Sequence, residues 1–135
     1  MANTTFTGPV NSNNGFVGAL TGNVTGNVAG NVTGALTGAI TGSIQALSGA
    51  GAVNLTSLIT EIATTGADAL TLANGTVGQI KIITMVVDGG DGTLTPTTFA
   101  NGSTITFNDA GDSVMLVYNS IVGWALVANT GATIA

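Results

Sequence analysis

The sequence contains no cysteine, histidine or arginine, and its only basic side chain is Lys81. Without cysteine it can form neither disulfides nor thiolate metal sites. Its many Ser and Thr hydroxyls have no obvious base to activate them. A lysine-based mechanism would depend on Lys81, which we expect to reach solvent or to pair with a carboxylate. We therefore predict that the protein is not an enzyme, and we assign no catalytic, cofactor-binding or metal-binding residue.

Charge is scarce, since only 5% of residues are charged and the formal net charge is −5. The acidic residues are Glu61, Asp68, Asp88, Asp91, Asp109 and Asp112. With one lysine against them, no basic surface is available to neutralise phosphates. We therefore expect no nucleic-acid partner.

Long apolar runs are missing as well. The longest, residues 80–87, is interrupted by Lys81 and Thr84 and falls short of the roughly 20 residues of a membrane helix. It predicts a buried strand, and we expect no membrane partner. Residues 1–6 lack the basic and apolar regions of a signal peptide, so we expect no secretion by that route.

What the sequence has in abundance is glycine, at 21 of 135 residues, and a hydrophobic content of 44%. Val, Ile, Ala and Leu are interspersed with Thr, Asn and Gly, a mixture typical of strands and turns. The apolar content argues against intrinsic disorder. We predict a mostly β protein.

A tetrapeptide repeat occupies residues 17–44, with units such as Thr-Gly-Asn-Val and Thr-Gly-Ala-Ile. Glycine holds one column, at Gly18, Gly22, Gly26, Gly30, Gly34, Gly38 and Gly42. Aliphatic residues hold another, at Leu20, Val24, Val28, Val32, Leu36, Ile40 and Ile44. The regularity of both columns indicates a defined structure.

The period of four excludes collagen, which needs glycine at every third residue. A packed helix with a Gly-x-x-x-Gly face is an alternative, but each glycine would cost about 1 kcal/mol there. A flexible Gly-rich linker is another alternative. Extended structure places Gly and the aliphatic residue of every unit on one face and Thr with Asn or Ala on the other. This interpretation predicts an intertwined fibrous arm, most simply of three chains, because one chain cannot bury the aliphatic column.

The domain organisation follows from where the repeat ends. We predict a lead-in at residues 1–16, the arm at 17–47, a small-residue joint at 48–52 and a C-terminal β-domain at 53–135. Strands are predicted at residues 55–63, 69–72, 79–87, 92–95, 103–107, 113–118 and 124–128. Short strands separated by frequent turns predict a small antiparallel β-sandwich or barrel-like domain. Its aromatic residues Phe99, Phe107, Tyr118 and Trp124 are expected in the core.

Two glycine-bearing loops carry oxygen ligands, at residues 88–91 (Asp-Gly-Gly-Asp) and 108–112 (Asn-Asp-Ala-Gly-Asp). Their side chains are compatible with Ca²⁺. Asp, Asn and Gly are also the usual turn residues, and we favour that interpretation.

The Thr-Gly-Asn-Val repeat, followed by Gly78-Gln79-Ile80-Lys81, the Asp-Gly-Gly-Asp loop and the Ile-Thr-Phe-Asn-Asp-Ala-Gly-Asp-Ser stretch at 105–113, resembles virion structural proteins of tailed bacteriophages, particularly marine and cyanobacterial phages. The resemblance covers nearly the whole chain. Such proteins serve as head decoration, cement or fibre components and are often trimers.

The resemblance implies a non-enzymatic virion protein that assembles in the host cytoplasm as a homotrimer and contacts the major capsid protein or other virion proteins. Two alternatives remain open. One is an adhesin at a fibre tip that binds a receptor or glycan through loop residues. The other is the subunit of a self-assembling extracellular filament.

Overall fold

The computed structural model describes residues 37–135. The predicted lead-in at residues 1–16 and residues 17–36 of the predicted arm lie outside this part. Residues 38–135 form one unit, which begins before the predicted joint. The end of the predicted arm and part of the joint belong to strands of this unit.

Ten strands make up the regular structure of the described residues, and no helix occurs among them. They are β1 (Ile44–Ser48), β2 (Gly51–Val53), β3 (Ile59–Ala63), β4 (Asp68–Leu72), β5 (Ile80–Val87), β6 (Gly92–Pro96), β7 (Ile105–Phe107), β8 (Ser113–Asn119), β9 (Gly123–Thr130) and β10 (Thr133–Ile134). The predicted mostly β character is therefore confirmed for this part of the chain.

The strands form two five-stranded sheets that share one core. Sheet I has the order β1-β3-β5-β8-β9, and sheet II has the order β10-β7-β6-β4-β2. Both sheets are mixed, because β1 to β6 pair in parallel within their sheets whereas the later strands join antiparallel. The prediction of an antiparallel domain was therefore wrong for β1 to β6. Neither sheet closes into a barrel, so the barrel-like alternative was wrong too.

The parallel pairs arise because the chain changes sheet after every strand from β1 to β5. It runs along sheet I, returns along sheet II and re-enters sheet I in its original direction. Consequently β3 lies parallel to β1, and β5 lies parallel to β3. The turn residues between these strands connect two sheets, whereas the same residue types in a hairpin connect neighbours in one sheet.

Asn54 explains why β3 begins at Ile59 and not at the predicted Leu55. The Asn54 Oδ1 accepts hydrogen bonds from the backbone N–H of Thr56 at 3.2 Å and of Ser57 at 2.8 Å. This turn occupies backbone donors that a strand would offer to its neighbour. Strand β1 overlaps the end of the arm, for which the repeat predicts extended structure. Strands β2 and β10 were not predicted, because they are only three and two residues long.

The core lies between the inner faces of the two sheets and contains two of the four aromatic residues predicted for it, Phe107 and Trp124. Phe99 and Tyr118 are partly buried and pack against it. Trp124 is fully buried, and its Nε1 donates a hydrogen bond to the carbonyl oxygen of Ala73 at 2.9 Å. Its ring meets that of Tyr118 edge to face, with centroids 5.2 Å apart. A Cβ atom at Gly75 would lie 2.8 Å from Trp124 Cζ2, so this glycine makes room for the indole.

Changing Trp124 to Phe should lower the free energy of unfolding by about 2–3 kcal/mol, because it leaves the Ala73 carbonyl without its donor and opens a cavity. Tyr118→Phe is the control, since it keeps a ring beside Trp124 on a side chain that is only partly buried. Urea denaturation of both variants measures the difference. Equal losses would contradict this account of the core.

Candidate self-association surface

An apolar row crosses the outer face of sheet I. The register aligns Ile44 of β1, Ile59 of β3, Ile82 of β5, Met115 of β8 and Ala128 of β9. These residues share one face because paired residues in a sheet point to the same side. All five are half-buried or exposed, whereas their neighbours along the strands, such as Thr60 and Ile83, are buried in the core.

A second row runs beside the first, formed by Ile80, Val117 and Ala125. Ile80 is 46% exposed. Between β5, β8 and β9 the face contains a groove of about 200 Å³, lined by apolar residues that include Ile82, Met115 and Ala128 and by the polar residues Thr84, Ser113, Asn129 and Thr130. The groove is smaller than the roughly 300–1,000 Å³ of typical ligand pockets, so it suits a protruding side chain better than a ligand.

The outer face of sheet II has the opposite character. One row aligns Ala69 of β4, Thr93 of β6, Thr106 of β7 and Thr133 of β10. Another aligns Ala52, Thr71 and Thr95. Threonine outside and leucine inside is the alternation expected of a sheet with one face in water.

The tetrapeptide repeat ends at the edge of the apolar face. Ile44 belongs both to the aliphatic column and to the row across sheet I, and it is 56% exposed. Ile40, the preceding member of the column, is 75% exposed. At Gly42 a Cβ atom would lie 2.7 Å from Leu58 Cδ2, so this glycine of the repeat allows close packing. The intertwining of residues 17–36 remains a prediction.

Lys81 is fully buried at the end of the core nearest the start of β5. Its Nζ donates hydrogen bonds to the carbonyl oxygen of Ser57 at 2.6 Å and to Thr60 Oγ1 at 2.9 Å. Neither oxygen carries a charge. The expectation that this amine would reach solvent or pair with a carboxylate was therefore wrong. Burial lowers the pKa of Lys81 to about 8.

The polar contacts continue from Lys81 to the edge of sheet I. The Thr60 hydroxyl donates to Gln45 Oε1 at 3.1 Å, and the backbone N–H of Asn54 donates to the same oxygen at 2.7 Å. The Gln45 amide in turn donates to the carbonyl oxygen of Ala52. This network joins β1, β3 and β5 to the loop after β2, so we assign it a structural role.

The acidic loops use their carboxylates to hold turns. Asp112 Oδ2 accepts hydrogen bonds from the backbone N–H of Asn108 at 2.9 Å and of Asp109 at 3.1 Å. Asp88 Oδ1 accepts one from Gly90 N–H at 2.9 Å. These contacts are the turn chemistry that the sequence favours for both loops. Across residues 37–135, no group of three or more His, Cys, Asp or Glu side chains is arranged to hold a metal ion.

Sequence reasoning placed β5 correctly but did not identify the apolar outer face. The sequence signal for this face was that polar and apolar residues do not alternate along β5. Strand β4 alternates leucine with Thr71, and β6 alternates Leu94 with threonines, whereas β5 carries aliphatic residues on both faces. The prediction that residues 80–87 form a buried strand holds for the inner face only, since Ile80, Val86 and Val87 are exposed.

No family of known proteins matches this chain, and no curated protein sequence is similar to it. Among residues 37–135, no helix has the length and apolar character needed to cross a membrane.

The buried lysine should make the protein more stable as the pH rises above neutrality. The pKa of Lys81 is lower in the folded chain, about 8, than its ordinary value of 10.5. Between these values the unfolded chain binds more protons, so folding becomes more favourable as pH increases through this window. The cost of burying the charged amine, roughly 3 kcal/mol, is fully present below pH 8 and disappears toward pH 10.5.

Lys81→Met is the matched variant, because it keeps an unbranched side chain but removes the titrating amine. Urea denaturation at pH values from 7.5 to 10, at one protein concentration, should show a rise in stability that the variant lacks. The same pH dependence in both proteins would contradict the assignment.

Proposed function

We propose that the protein is a non-enzymatic structural subunit of a phage virion, which decorates or cements the capsid or forms a short fibre on it as a homotrimer. The observation that carries this proposal is the apolar outer face of sheet I, which begins at Ile44, where the aliphatic column of the repeat ends. Exposed aliphatic surface of this extent is typical of proteins that associate with other proteins.

The chemistry of the side chains supports a role without turnover. The sequence has no histidine, cysteine or arginine, and the amine of Lys81 is enclosed by Ser57 and Thr60. The carboxylates of Asp88 and Asp112 are hydrogen-bonded to their own turns. Such an inventory suits binding through shape and apolar contact.

The virion location rests on the resemblance of the repeat and the later motifs to phage structural proteins. The partners under this proposal are other copies of the chain and the major capsid protein or other virion proteins. The formal net charge of −5 makes nucleic acid an unfavourable partner. Assembly would take place in the host cytoplasm, with release as part of the particle.

Two measurements on the purified full-length protein test the proposal. Sedimentation should give the mass of a closed trimer, because one chain cannot bury its aliphatic column and outer face. Particles that lack the protein should then bind it in a stoichiometric, symmetry-matched manner and resist heat or osmotic shock better.

Other outcomes would replace the proposal with one of its alternatives. A stable monomer would reject assembly, and open-ended polymers would indicate a filament subunit. Saturable binding to host glycans, with no affinity for the particle, would indicate an adhesin with its site at the loops of residues 88–92 and 108–112.

A further inference from the structure

The two outer faces of this domain differ although the same chain builds both. Sheet II presents Thr71, Thr93, Thr95, Thr106 and Thr133 to water. Sheet I presents two rows of isoleucine, valine, methionine and alanine, beside one polar row of Glu61, Thr84, Ser113 and Thr130. We propose that the outer face of sheet I packs against the outer face of sheet I in other copies of this chain. This inference rests on the self-assembly proposed above and specifies the surface that carries it.

Strand β5 supports burial of this face in the assembled protein. A strand that is apolar on both sides is typical of sheets covered on both faces. Within one copy, only the inner side of β5 is covered, by the core around Ile83 and Met85. The outer side, with Ile80 and Ile82, needs a second layer to complete the same arrangement.

The charge distribution favours a second copy as that layer. Glu61 of β3 is the only acidic residue on the outer face of sheet I, next to the apolar row. The aspartates lie instead in or beside the loops that follow β3, β5 and β7. Two of these loops are adjacent, since the backbone N–H of Asp68 donates a hydrogen bond to the carbonyl oxygen of Asp91. A contact between two copies through sheet I therefore keeps the aspartate carboxylates of both out of the interface, although each copy has a formal charge of −5.

The size of the face explains why the repeat is also needed. Five strands spaced about 4.8 Å apart and roughly 20 Å long offer about 500 Å² per copy. Two such faces packed fully together would bury about 1,000 Å², the lower limit for a stable interface, and in a trimer each face is shared between two neighbours, so each contact buries less. Ile40, which precedes β1, continues the apolar surface from sheet I into the repeat, so burial there adds to the area of the sheet.

Ile82→Lys tests the proposal, with Thr93→Lys as its matched control. Both residues are half-buried on the central strand of a five-stranded sheet and point outward. Both changes add the same charge to the same acidic chain. Ile82→Lys should raise the Kd for self-association about a hundredfold or more, because it places a charged side chain in the middle of an apolar contact. Thr93→Lys should change it little.

Ile82→Thr provides a second variant that sheet I should tolerate, because threonine occupies outward positions throughout sheet II and favours strands. It should raise the Kd about tenfold through lost apolar burial. Sedimentation of the full-length variants over a range of concentrations measures both effects, and circular dichroism checks the fold.

Equal Kd values for Ile82→Lys and Thr93→Lys would overturn the proposal. So would an Ile82→Thr protein that self-associates as tightly as the parent chain. Neither measurement uses viral particles. If the parent protein does not bind particles but Ile82→Lys weakens self-association, the virion role alone is rejected. If the parent protein binds particles normally but Ile82→Lys leaves self-association unchanged, the packing through sheet I alone is rejected.

Discussion

Every strand of this domain has two faces, but a two-layer fold can cover only one of them. The inner faces of sheets I and II meet in a core that encloses Phe107 and Trp124. The outer face of sheet II is made of threonine and alanine, which water solvates at little cost. The outer face of sheet I carries two apolar rows beside one polar row, and a single copy leaves it open. Under the proposed self-association, the need to cover that face links the fold to assembly.

The path of the chain determines which residues occupy that face. The chain changes sheet after each strand from β1 to β5, and the end of the repeat at Ile44 begins β1, which is the edge strand of sheet I. The aliphatic column of the repeat and the apolar row of the domain therefore meet at one residue. Close to Ile44 but inside the core, Lys81 donates hydrogen bonds to Ser57 and Thr60, so the only basic side chain links β5 to β3 and to the loop that precedes β3.

Strand positions were largely predictable from the sequence, because β4, β5, β6, β8 and β9 have strong β propensity and clear turn residues between them. Their pairing was not predictable, since the same Gly and Asp turns serve both hairpins and links between sheets. The environment of Lys81 was predicted wrongly, because its neutral hydrogen-bond partners are a carbonyl oxygen and a threonine hydroxyl of residues far away in the sequence. The apolar face emerges only when the register aligns Ile59, Ile82 and Met115.

Oxidative footprinting of the unmodified protein tests the central claim most directly, because two methionines report on the two sides of sheet I. Met85 is fully buried in the core, whereas Met115 lies on the outer face and is half-buried in one copy. We expect Met115 to oxidise slowly in the assembled protein and faster after dilution to single chains, with Met85 protected in both. Oxidation of Met115 at the same rate in both states would contradict the account.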